Sequence, residues 1–88
     1  MDLMIDIGNT HTVVGLIEDG KLKYNWRLSS TLLRTEDEKW AVISSFFKNI
    51  DFDYKKINGI AISSVVPNIT IVYDRLVEKY FKKKELIT

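Results

Sequence analysis

The sequence predicts a mixed α/β sheet with elements in the order β-β-β-α-β-α. Three observations predict it. Short β-branched runs separated by turn residues fill the first third, an amphipathic helix behind a capping box occupies the middle, and a near-continuous apolar run then leads through a proline into a second helical pattern. With 88 residues the chain has room for one small core.

Leu3 to Ile7 forms the first strand, Gly8-Asn9-Thr10-His11 breaks it, and Thr12 to Ile17 resumes it in the opposite direction. Glu18-Asp19-Gly20 supplies an Asp-Gly pair, which tolerates positive φ and so closes a tight hairpin. Leu22, Tyr24, Trp26 and Leu28 alternate with Lys21, Lys23, Asn25 and Arg27, the pattern of a half-buried third strand with one wet face. Ser29 to Arg34 is polar and reads as a connection. Thr35-Glu36-Asp37-Glu38 matches the capping box, and the three acids complement the positive end of a helix dipole. Trp40, Ile43, Phe47 and Ile50, with Phe46 alongside, give that helix one broad apolar stripe, read as core and not as a stacking platform. Asp51 to Lys56 turns the chain. Ile57 to Val66 is apolar almost throughout, as expected of a strand covered on both faces. Pro67 suits a first helical turn, and Ile69, Val72, Tyr73, Leu76 and Tyr80 follow at helical spacing, although residues 69–73 also fit a strand pattern.

Three antiparallel strands, a crossover helix and a fourth strand parallel to the first make the opening of a ribonuclease-H-like sheet. That sheet continues with a fifth strand beside the fourth, and Glu85-Leu86-Ile87-Thr88 stands where it would start. Residues 1–88 therefore read as an incomplete domain, expected to self-associate through the open edge of the fourth strand or to be ordered only because Glu85 to Thr88 or a neighbouring molecule covers that edge.

Composition removes several kinds of chemistry. The absence of cysteine excludes disulfides, thiolate zinc sites and cysteine nucleophiles, and a single histidine excludes multi-histidine metal sites. A net charge of +1 provides no field for steering onto nucleic acid or an anionic membrane. The apolar runs are far shorter than the about 20 residues that span a bilayer, and no basic leader opens the chain, so a cytoplasmic location is expected. Lys79, Lys82, Lys83 and Lys84 read as solvated cations at a helix C-terminus. P-loop, dinucleotide-binding and zincin patterns are absent from the sequence.

The constellation that carries chemistry is Asp6-Ile7-Gly8-Asn9-Thr10-His11-Thr12 at the first strand-to-strand turn. A phosphate chain approaching a tight turn needs a glycine for close approach, amides to donate to the anion, and small polar side chains to add directed hydrogen bonds. Gly8, Asn9, Thr10 and Thr12 supply these, with His11 beside them. Asp6 is placed to orient a hydrated Mg²⁺ between itself and the phosphates. The alternative is that Asp6 and Asn9 build an Asx-type turn and nothing more. Ser63 and Ser64, at the end of the fourth strand, either line the cleft where open sheets bind ligands or satisfy local backbone groups.

Asp6-Ile7-Gly8-Asn9-Thr10 followed by Thr12-Val13-Val14-Gly15-Leu16 resembles the first phosphate motif of the actin, sugar-kinase and heat-shock-ATPase superfamily. The Asn-Thr after the glycine is similar to type III pantothenate kinases, and Ile62-Ser63-Ser64-Val65-Val66-Pro67 closely resembles that family's strand-to-helix junction. The resemblance implies an N-terminal ATP-binding half in which Asp6, Gly8, Asn9, Thr10, His11 and Thr12 face the phosphates and Asp6 holds Mg²⁺ through water. It further implies a kinase phosphorylating pantothenate in the first step towards coenzyme A, with a K⁺ or NH₄⁺ site, a second domain and a homodimer. The family's general base lies in a Gly-x-Asp-Arg motif that this sequence lacks; Asp74-Arg75 follows Val72-Tyr73 inside a predicted helix and does not substitute. No catalytic residue is therefore expected within residues 1–88, and the segment alone is expected to be inactive. Two other classes remain open: a non-catalytic transcriptional accessory relative of the same fold, and a ribonuclease-H-like nuclease with Asp6 as a metal ligand, which would need acids that the fourth strand does not carry.

Overall fold

A computed structural model describes residues 1–31, 35–82 and 86–87. Strands β1 (Asp2–Ile7), β2 (His11–Glu18) and β3 (Lys21–Ser29) precede helix α1 (Glu36–Asn49), strand β4 (Gly59–Ser64), helix α2 (Pro67–Leu76) and strand β5 (Leu86–Ile87). They form one sheet of order β3-β2-β1-β4-β5, in which β1 pairs antiparallel with β2 and parallel with β4. The expected element order is the observed one. A fifth strand begins parallel to β4 at Leu86–Ile87, while Glu85 and Thr88 lie outside the described residues.

Local chemistry explains the boundaries. Asp19 and Gly20 take φ of 53° and 76°, the conformation for which the Asp-Gly pair was read. Thr35 Oγ1 accepts from the Glu38 amide at 3.1 Å while the Thr35 amide donates to Glu38 Oε1 at 3.0 Å, so the capping box is complete. Pro67 opens α2, where its missing N–H has no intrahelical partner to lose. At the surface, Asp37 of α1 receives Lys79 Nζ at 2.8 Å and the Tyr80 hydroxyl, joining the start of one helix to the turn after the other. Among the described residues no helix is long and apolar enough to cross a membrane.

Both helices cover the same face of the sheet. Leu3, Ile5 and Ile7 of β1, Val14 and Leu16 of β2, and Ile60 and Ile62 of β4 meet Ile43 and Phe47 of α1 and Tyr73 and Leu76 of α2 in one buried core. Trp40 packs against Tyr54, Tyr80 and Phe81 at ring separations of 5.0, 4.9 and 5.2 Å, as a core stripe should.

Two expectations require correction. β4 is covered on one face only among the described residues, because Ala61 is half-buried and Ser63 exposed opposite Ile60 and Ile62. Leu22 does not share the covered face with Tyr24, Trp26 and Leu28. A register shift at Leu16/Ile17 pairs Leu16 with Tyr24 but Ile17 with Leu22, and the extra residue turns Leu22 over. Leu22 is 51% exposed and lies against Gly15 on the open face, where a Cβ on that glycine would meet Leu22 Cδ1 at 2.7 Å.

Candidate functional site

Parallel pairing of β1 and β4 brings their carboxyl ends together, the place where open sheets of this type receive ligands. The register sets Asp6 beside Ser63 and Ile7 beside Ser64. Since Ile5, Ile7 and Ile62 point to the helices, Asp6 and Ser63 emerge on the uncovered face, and both are exposed. No hydrogen bond or ion pair engages the Asp6 carboxylate among the described residues. Ser64 is occupied locally: its Oγ accepts from the Val66 amide at 2.9 Å and donates to the Val66 carbonyl at 3.2 Å. Of the two serines, Ser63 is therefore the one left exposed, beside Asp6. The N-terminus of α2 stands at the same end, and its N-cap residue Val66 provides no side-chain cap.

The turn between β1 and β2 follows directly on the carboxyl end of β1. Gly8 N donates to His11 O at 3.0 Å, and a Cβ on Gly8 would sit 3.0 Å from that same oxygen, so the glycine is required by the turn's own close approach. Asn9, Thr10 and His11 carry exposed side chains at its rim. Thr12 is different. It is fully buried, and its Oγ1 lies 2.8 Å from Ser30 Oγ, so it buttresses the turn from beneath. Ser30 in turn donates its hydroxyl to the Gly8 carbonyl at 2.7 Å and its amide to the Thr10 carbonyl at 2.9 Å.

Beneath Thr12 the core becomes polar. The Tyr73 hydroxyl is buried next to Thr12 but makes no hydrogen bond of acceptable geometry among the described residues, and burial pushes its pKa up to about 12. Lys39, 1% exposed on α1, places Nζ 5.0 Å from the centre of the Tyr73 ring, a cation–π contact. Burial holds its pKa below the ordinary lysine value. Ser30, Lys39 and the polar end of Tyr73 were not singled out by sequence reading. Ser30 reads as one polar residue in a connection, and Lys39 as one of several charges at a helix start; no sequence signal marks either.

The sequence profile of the type III pantothenate kinase family matches residues 2–88. This chain belongs to the type III pantothenate kinase family. A type III pantothenate kinase from Brevibacillus brevis is 39% identical over 87 residues, covering 99% of this chain and 34% of the relative. The chain thus spans about a third of the length of the curated relative it matches. Two solved structures of Ppx/GppA proteins from Aquifex aeolicus cover 98% of the chain and 34% of their own length, with TM-scores of 0.47 and 0.48 at 18% and 15% identity. Within the family frame, Asp74-Arg75 lies in α2, away from any Gly-x-Asp-Arg context.

Proposed function

We propose that residues 1–88 form the ATP-phosphate-binding half of a kinase that transfers the γ-phosphoryl group of ATP to pantothenate, an early step of coenzyme A synthesis. Family membership supports the reaction class, and the single observation that carries the local role is the Gly8–Thr12 turn facing the carboxyl ends of β1 and β4. In this reading the phosphates lie on the turn amides and on the Asn9 and Thr10 side chains, with His11 at the rim, while Thr12 holds the turn from below. Asp6 and Ser63 face them across the crevice.

An unpaired exposed carboxylate fits a hydrated Mg²⁺. Among the described residues no three acidic or histidine side chains converge on a metal, so Asp6 would hold the ion through water and not in a protein cage. The ion would supply charge neutralisation on the phosphates; this chain supplies orientation, which is most of what phosphoryl transfer asks of a protein. In this proposal the general base and the K⁺ or NH₄⁺ site lie outside residues 1–88, a second domain completes the nucleotide cleft and the homodimer, and the enzyme acts in the cytoplasm. ATP-dependent phosphorylation of pantothenate by the intact protein tests the proposal. Turnover supports it, and ATP binding without turnover would instead favour a regulatory relative.

A further inference from the structure

A trans peptide points its carbonyl and its N–H in opposite directions, so fixing one fixes the other. All the described peptides are trans. The Gly8 carbonyl is drawn toward Ser30 Oγ at 2.7 Å and the Thr10 carbonyl toward Ser30 N at 2.9 Å. The N–H groups on the far ends of those two peptides belong to Asn9 and His11. Both are therefore turned away from Ser30, and since β2 lies between β3 and β1 the His11 amide points along the sheet toward β1, at whose carboxyl end Asp6 stands. The Gly8 amide is already bonded to His11 O.

The hydroxyl network has a fixed sense as well. Ser30 has one proton and gives it to the Gly8 carbonyl, so the 2.8 Å contact with Thr12 must run from the Thr12 hydroxyl to Ser30 Oγ. Thr12 thereby holds Ser30 in the rotamer that reaches Gly8, and a 2%-exposed Ser30 has no water to replace either bond.

We propose that Ser30 is a positioning residue for phosphate recognition: it holds the Gly8 and Thr10 carbonyls from behind and thereby aims the Asn9 and His11 amides at the anion. This rests on the phosphate-binding reading above. Without the Ser30 hydroxyl the Gly8–Asn9 peptide would be free to rotate and bound phosphate would have to reorder it, while the Thr10 carbonyl would keep its bond to the residue-30 amide.

The test compares the intact protein with its Ser30→Ala variant, measuring affinity for MgATP and for inorganic tripolyphosphate and recording the ¹H–¹⁵N signals of Asn9 and His11 without ligand. Phe47→Leu, in the core, serves as a control for lost stability alone. We expect S30A, which loses the hydroxyl but keeps the residue-30 amide, to bind both probes about tenfold more weakly, about 1.4 kcal/mol, with the Asn9 signal displaced more than that of His11 before any ligand is added. F47L should keep wild-type affinity at a comparable loss of melting temperature. Ser30→Cys preserves volume with a weaker donor and decides the matter if S30A does not fold; it too should bind more weakly. Wild-type affinity in S30A, or in S30C where S30A does not fold, overturns the proposal and leaves the phosphate site standing, as does an equal affinity loss in F47L. Failure of the wild-type protein to bind either probe overturns the phosphate-binding reading, and this inference falls with it.

Discussion

The two tight turns of the N-terminal meander reverse the chain by opposite means. At Asp19-Gly20 the backbone takes positive φ at both residues, the geometry that follows the twist of the flanking strands, and the turn sits in solvent needing nothing from the rest of the molecule. At Gly8-Asn9-Thr10 no residue has positive φ, and the turn is tied down by bonds from Ser30, which is 22 residues from Gly8 in sequence. A turn held by its own dihedral preferences has no reason to face a ligand. One held from behind through its carbonyls can turn amides away from its ties, which is what the proposed phosphate site would use.

The largest expected effect lies under the second turn. Tyr73 keeps its proton in the fold up to about pH 12, whereas in the unfolded chain it titrates near 10. The sign is that of a raised pKa: stability is complete below about pH 10 and is lost as pH rises toward 12, by on the order of 3 kcal/mol. Tyr73→Phe should flatten that alkaline loss and be close to neutral at pH 7, since the hydroxyl has no hydrogen bond among the described residues. Urea melts at pH 7, 10 and 11.5 check this, and an alkaline loss as steep as that of the wild type would contradict it.

Gly8→Ala should cost about 2 kcal/mol, because the new methyl meets backbone His11 O at 3.0 Å in a turn that cannot yield without breaking its ties. Nucleotide affinity should fall with it. If the intact protein is the proposed kinase, Asp6→Asn should reduce its kcat at least about tenfold with little change in melting temperature, since a charge-oriented phosphate contact is commonly worth more than about 1.4 kcal/mol in the transition state. Unchanged kcat at saturating ATP and Mg²⁺ would remove Asp6 from the mechanism. Gly20→Ala completes the pair with the smallest effect. It meets no atom within 4 Å, so only its φ of 76° is strained, and about 1 kcal/mol of stability should be lost with nucleotide affinity unchanged. A loss of affinity in G20A would erase the distinction between the two turns.

The same contrast separates what the sequence reveals from what it hides. Asp19-Gly20, the Thr35–Glu38 capping box and Pro67 act on their immediate neighbours, so a window of a few residues contains their whole cause. The turn after Asp6 is legible for the same reason. The alternation of β3 misplaces Leu22 because the register shift at Leu16/Ile17 is a property of how two strands meet. Ser30 carries no pattern of its own; its meaning comes from the two carbonyls that β-sheet pairing brings to it. Lys39 is buried only because α1 lays that position over the Tyr73 ring of α2.

The most direct test of the account is a titration of the protein with MgATP, following the backbone ¹H–¹⁵N signals of both turns in one experiment. The account predicts that Asn9 and His11 shift with saturable dependence on nucleotide while Asp19 and Gly20 stay in place. Saturable binding that leaves Asn9 and His11 unmoved, or that moves the Asp19-Gly20 turn instead, would contradict it.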